Sequence, residues 1–131
     1  MIRKFRKEEH GQALVEMALV LPLFFLLLFG VIEMGRIGHA YIMISNAARE
    51  GGRLATIGKS DPVIEDSIKN AATTLNPDNL TITISPIQAL RQSGEGVTVY
   101  VEYPVQLIVP LINNIIPNPF VVSTSINMRL E

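Results

Sequence analysis

Apolar and polar positions along this chain follow a helical pattern first and a period of two from Leu80 onward. Residues 11–32, GQALVEMALVLPLFFLLLFGVI, are apolar almost throughout. From Ala13 to Ile32 the only charge is Glu16 and the only proline is Pro22. A helix of ~20 such residues, rising ~1.5 Å each, crosses the ~30 Å hydrocarbon core of a bilayer. The stretch therefore predicts one membrane-spanning helix. Pro22 lacks an N–H and crowds the turn before it, so a kink or local loosening is expected there. That feature is either a harmless bend or a flexible point for packing into an assembly.

Beyond the span the period stays helical. Ile37, Tyr41, Ile44 and Ala48 are spaced by four, three and four, which predicts one apolar stripe. Residues 46–57, NAAREGGRLATI, extend it less securely, because Gly51 and Gly52 each cost ~1 kcal/mol relative to alanine inside a helix. Either the pair permits close packing against a neighbour or the helix stops there. The run Gly58, Lys59, Ser60, Asp61, Pro62 is a break. Ser60 or Asp61 then caps a second helix, with Pro62 in its tolerant first turn, Glu65 following, and Ile64, Ile68, Ala71, Ala72 and Leu75 on its buried face. Asn76 and Pro77 are expected to end it.

From Leu80 the period becomes two. Leu80, Ile82 and Ile84 alternate with Thr81, Thr83 and Ser85; Val97, Val99, Val101 and Tyr103 alternate with Thr98, Tyr100 and Glu102; and Phe120, Val122, Ile126, Met128 and Leu130 share a face. Three half-buried strands in an antiparallel sheet, one face covered by helix, account for this. Residues 104–119, PVQLIVPLINNIIPNP, are apolar but interrupted by Pro104, Pro110, Pro117 and Pro119, so no regular central strand is expected there. Their apolar side chains either close the core, the preferred reading, or form an exposed patch for a partner or the membrane surface. The fold class is α+β: a long N-terminal transmembrane helix extending outward, a second helix and a small three-stranded antiparallel sheet. The expected divisions are a leader at 1–11, the span at 12–33, a helical extension at 34–58 and an extracytoplasmic domain at 59–131.

Composition narrows the function. The 131 residues carry a net charge of −1, which offers no basic field for nucleic acid. Absence of cysteine removes disulfides, thiolate metal sites and cysteine nucleophiles together. Arg3, Lys4, Arg6 and Lys7 precede the span, whereas residues 35–57 hold Arg36, Arg49 and Arg53 against Glu50. The positive-inside rule places the N-terminus in the cytoplasm and the chain after about Glu33 outside. A cleaved secretory signal peptide is disfavoured: the apolar core is long, and Glu33, Met34, Gly35 and Arg36 after it form no small-residue cleavage site.

Glu16 is the informative residue. A charge inside a spanning helix is costly, although less so near the membrane surface. One reading has Glu16 snorkel to the interface. A sharper one starts from Gly11, which separates a charged leader from the apolar run. A cut after Gly11 gives Gln12 a free, positive amine and makes Glu16 the fifth residue of the new chain. In a packed filament that carboxylate can pair with a neighbour's amine, removing two lone charges from lipid.

The basic leader, Gly11, Glu16 and the apolar helix resemble the class III signal of type IV pilin-like proteins. More closely, residues 11–36, GQALVEMALVLPLFFLLLFGVIEMGR, resemble the opening of TadE-like proteins, minor pilins or pseudopilins of the tight-adherence (Flp) pilus, and NAAREGGR at 46–53 resembles that family's second familiar stretch. Together the likeness covers roughly residues 9–53. It implies a membrane-embedded aspartyl prepilin peptidase that cuts between Gly11 and Gln12, and a role for Glu16 in processing or assembly. It also implies a product that stays in the inner membrane or joins the pilus, with other pilin-like subunits and the inner-membrane assembly platform as partners. The family often has Tyr or Phe directly after the glutamate; here Met17 keeps bulk and apolarity. The length fits neither the far shorter major Flp pilin nor the longer TadG-type proteins.

The leading expectation is a non-catalytic pilus protein without a cofactor. An uncleaved, signal-anchored binding module is the alternative. An enzyme is disfavoured: His10 falls in the leader, His39 reads as an interfacial side chain near Glu33 and Arg36, and no nucleophile elbow or phosphate loop occurs. Glu33 and Arg36, three apart, are expected to pair on the helix surface for a few tenths of a kcal/mol.

Overall fold

The computed structural model describes residues 2–131, with side chains from His10 onward. Arg3, Lys4, Arg6 and Lys7, read as the cytoplasmic flank, lie outside the residues whose side chains are described.

One helix, α1 (Ile2–Thr56), takes 55 residues, about 80 Å at ~1.5 Å per residue. It runs unbroken through Gly51 and Gly52 and ends on Gly58, whose φ of 75° is open to glycine without strain. The Gly58 N–H donates to the Ala55 carbonyl (3.0 Å) and the Lys59 N–H to the Leu54 carbonyl (3.2 Å), which closes the last turn as a Schellman motif. A second helix, α2 (Asp61–Ala71), follows with Ser60 at its N-cap and Pro62 in its first turn. It ends before the expected Asn76: Ala72 leaves helical geometry at ψ 55°, where the β-branched Thr73 and Thr74 disfavour continuation. Ile64, Ile68 and Ala72 are buried all the same, while Ala71 and Leu75 are half-buried.

The strands β1 (Thr81–Ser85), β2 (Gly96–Val105) and β3 (Phe120–Arg129) form an antiparallel meander in the order β1-β2-β3. Val99 pairs with Ile84 on one side and Ile126 on the other, and Val101 with Ile82 and Thr124. These residues share the face that packs on α1, with Val97, Val99 and Val101 fully buried. The other face is polar: Asn127 donates to Thr98 (2.8 Å) and Tyr100 to Glu102 (2.5 Å). β2 runs two residues further than expected, through Pro104 and Val105. Pro104 is tolerated because β1 ends opposite Glu102, so no third strand awaits its missing N–H.

The wall that α1 offers is not the expected stripe. Ile44 and Ala48 are buried, but Tyr41 is half exposed and Ala40 takes the inward position, followed by Ala47, Gly51, Gly52 and Ala55. Small residues prevail because the sheet and α2 both lie close to this face; a tyrosine there would hold them apart. Arg91, whose side chain is almost wholly buried, ties the β1–β2 connection to this unit. It donates to the carbonyls of Pro86 and Lys59 (both 3.1 Å) and pairs with Asp61.

Candidate processing and assembly surface

The residues expected to take part in processing, Gly11, Gln12 and Glu16, sit together on one exposed stretch of α1. Gly11 is open on all sides, with nothing within 4 Å of the place a side chain would occupy. One turn on, the Gln12 amide donates to the Glu16 carboxylate at 3.3 Å, the (i, i+4) geometry of neighbours on a helix face. The expected pairing partner of Glu16 is the amine that a cut would leave on a neighbouring chain's Gln12. Every described side chain from His10 to Phe29 is exposed. α1 thus contains a stretch long and apolar enough to cross a membrane, with none of its most apolar window buried. Within it Phe25 stacks on Phe29 at 6.2 Å and meets Phe24 edge-on at 5.9 Å. Pro22 lies inside the helix and leaves the Ala18 carbonyl without its helical donor, a group that lipid cannot satisfy and a neighbour can.

Gly51 and Gly52 lie about 60 Å further along the helix, at ~1.5 Å per residue, and face the chain's own domain. A Cβ on Gly51 would fall 2.5 Å from Ile68 Cδ1, and one on Gly52 would fall 3.0 Å from Met128 Sδ. The glycines therefore bring α2 and β3 against α1. Beside them, Arg53 grips Glu50 through two nitrogens (2.7 and 3.3 Å). That hydrogen bonding, more than the bare attraction of the charges, holds the exposed Glu50 carboxyl below its usual range and Arg53 above its own.

Where the span meets the domain, the sequence reading needs correction. Glu33 is not on the surface. It is 3 % exposed, bonded to Arg36 at 2.8 Å, and Arg36 also donates to the Gln106 carbonyl at 3.1 Å. The cover comes from residues 106–119, which fold back along α1. Leu107 and Val109 are buried, whereas Ile108, Leu111 and Ile115 point out, so this segment combines the two roles set against each other above. Asn118 accepts from the Leu107 N–H at 3.0 Å. Between the segment and α1 runs an apolar groove of about 490 Å³, lined by Leu26, Leu27, Gly30 and Val31 on one side and Leu107, Ile112, Ile115 and Ile116 on the other. His39 is engaged as well, its Nε2 lying 2.8 Å from the Thr74 hydroxyl.

The family model described as TadE-like protein matches residues 11–53. Over these residues the sequence is similar to TadE-like proteins. The matched segment opens on Gly11, takes in the exposed apolar stretch and the small-residue wall as far as Gly52, and closes at Arg53, the partner of Glu50. α2 and the sheet lie outside the match. Comparison with curated proteins and with solved structures yielded no match.

Proposed function

We propose that this chain is a pilin-like structural or assembly protein of a tight-adherence (Flp, type IVc) pilus or a related secretion system. It is anchored as a single-pass inner-membrane protein with its N-terminus in the cytoplasm and its C-terminal domain outside. A prepilin peptidase cuts between Gly11 and Gln12, and the acid at Glu16 serves processing or assembly. Other pilin-like subunits and the inner-membrane platform are its partners.

The observation that carries this reading is the TadE-like match beginning at Gly11, followed by an apolar helix whose side chains are exposed from Gln12 to Phe29. A bare helix of this kind is stable in lipid or in a bundle of like helices. A glycine open on all sides is accessible to a protease. In a filament, Glu16 and a neighbour's Gln12 amine neutralise each other in a medium where each alone is costly.

The test is the intact mass of the protein purified from membranes of cells with and without the cognate prepilin peptidase. A chain starting at Gln12 only when the peptidase is present is the expected result. A full-length chain in both would leave an uncleaved, signal-anchored binding module. Glu16→Ala should then abolish assembly while leaving the outer domain folded; unchanged assembly would remove the role given to Glu16.

A further inference from the structure

Residues 106–119 are placed beside the span, not above it. The groove they form reaches Leu26, six residues before Ile32, or about 9 Å deeper along a helix rising ~1.5 Å per residue. Ile108 and Val109 of the same segment line a second, smaller cleft with Phe29. If α1 spans the bilayer through Ile32, whatever touches Leu26 and Phe29 lies below the membrane surface too.

The segment has the chemistry for that position. From Tyr103 to Met128 no residue is charged. Irregular backbone in an apolar medium is penalised for every unpaired N–H and C=O. Here Pro104, Pro110, Pro117 and Pro119 have no N–H to bury. Other groups are paired locally: Asn118 holds the Leu107 N–H, Arg36 holds the Gln106 carbonyl, and the N–H groups of Ile112, Ile115 and Ile116 donate within a tight turn at 2.9–3.2 Å. Ile115 is 84 % exposed and Ile108 71 %, with no protein to cover them. Asn113 and Asn114 are also exposed and suit the headgroup boundary, the zone ~5–10 Å deep where interfacial segments lie.

We propose that residues 106–119 are a second membrane contact, seated in the outer leaflet beside the span, with a lipid acyl chain filling the groove against α1. This rests on the reading of α1 as the anchor. Glu33, Arg36 and Gln106 then mark the membrane surface, and the outer domain is held at a fixed height and rotation instead of swinging on its helix.

Because the chain has no cysteine, single labels report cleanly. Full-length Ile115→Cys, Leu19→Cys and Thr83→Cys, each at an exposed position, carry a bimane in phosphatidylcholine–phosphatidylglycerol vesicles. Quenching by nitroxide-labelled lipid is compared with quenching by aqueous iodide. The expected result is Ile115 quenched roughly threefold more by lipid than by iodide, as for Leu19, and the reverse for Thr83. If Leu19 is lipid-quenched but Ile115 answers to iodide, the second contact is overturned and the anchor stands. If Ile115 is shielded from both quenchers, a second copy occupies the groove and the lipid assignment is overturned. If Leu19 itself answers to iodide, the anchor reading fails and the proposal falls with it.

Discussion

Glu33 and Arg36 form a pair with unequal partners. The glutamate side chain is 4 % exposed and the arginine 38 %. Removing Arg36 strands a buried carboxylate; removing Glu33 leaves a cation that still reaches water and the Gln106 carbonyl. Arg36→Leu should therefore lower stability by about 2 kcal/mol, discounted from a fully buried pair because half of this one is wet, while Glu33→Leu should stay within about 1 kcal/mol. Thermal unfolding of the detergent-solubilised chain, followed by tyrosine fluorescence, measures both; equal losses would contradict the asymmetry. Tyr100 makes a second residue-scale case. Its hydroxyl donates to Glu102, which raises its pKa above the ordinary 10.0, against a smaller lowering by Ser123 and with small contributions from burial and the Glu102 charge. A group whose folded pKa is raised contributes stability that is complete below its unfolded pKa and lost as pH rises through the folded one. The contribution should thus fade only in alkali above the ordinary tyrosine range. Absorbance titration at the tyrosinate band, with Tyr100→Phe to assign the signal, should show Glu102→Gln moving the Tyr100 midpoint down.

At the scale of elements, the contact of α1 with α2 and β3 depends on two adjacent glycines that behave differently. Ile68, which a Cβ on Gly51 would strike at 2.5 Å, is fully buried and has nowhere to turn. Met128, 3.0 Å from the corresponding position on Gly52, is half-buried and flexible. An alanine gains ~1 kcal/mol of helix propensity at either site, whereas overpacking a closed core costs ~1–3 kcal/mol. Gly51→Ala should destabilise by about 1 kcal/mol and Gly51→Val by about 3 kcal/mol, with Gly52→Ala near neutral. The same unfolding assay ranks the three, and a neutral Gly51→Val would mean that α2 is not held where the structure puts it. This contact also marks a limit of legibility. The alternation of Val97, Val99 and Val101 belongs to the strand itself and could be read without knowing its neighbours. The inward face of α1 could not, because Tyr41 and Ala40 are both apolar enough to face a core, and only the nearness of the sheet selects the smaller.

For the molecule as a whole, one helix serves two environments, and the division between them was the least legible part of the chain. The span announces itself through residues 13–32, and Glu16, with Gly11 before it, stands out because a lone acid in an apolar run demands a reason. The burial of Glu33 gave no such signal: it depends on Gln106, 70 residues away from Arg36, and on a proline-rich segment with no regular period. The expected boundary at residue 59 follows a break in the helical pattern, yet the wall of the core comes from before it, since Ala40, Ile44, Ala47, Ala48 and Ala55 are buried against α2 and the sheet. α2 and the sheet share one core with these α1 residues, so removing α1 uncovers the apolar side chains of both. We expect the folding unit to begin near Glu33, which keeps the Arg36 bridge to the loop. A fragment of residues 33–131 should unfold cooperatively with a single denaturant midpoint, and a fragment of residues 59–131 should show no transition and little protection in hydrogen exchange. Cooperative folding of the shorter fragment would show that α1 merely leans on a domain already complete, and the small-residue wall would then need another explanation, as a surface kept narrow for neighbouring helices.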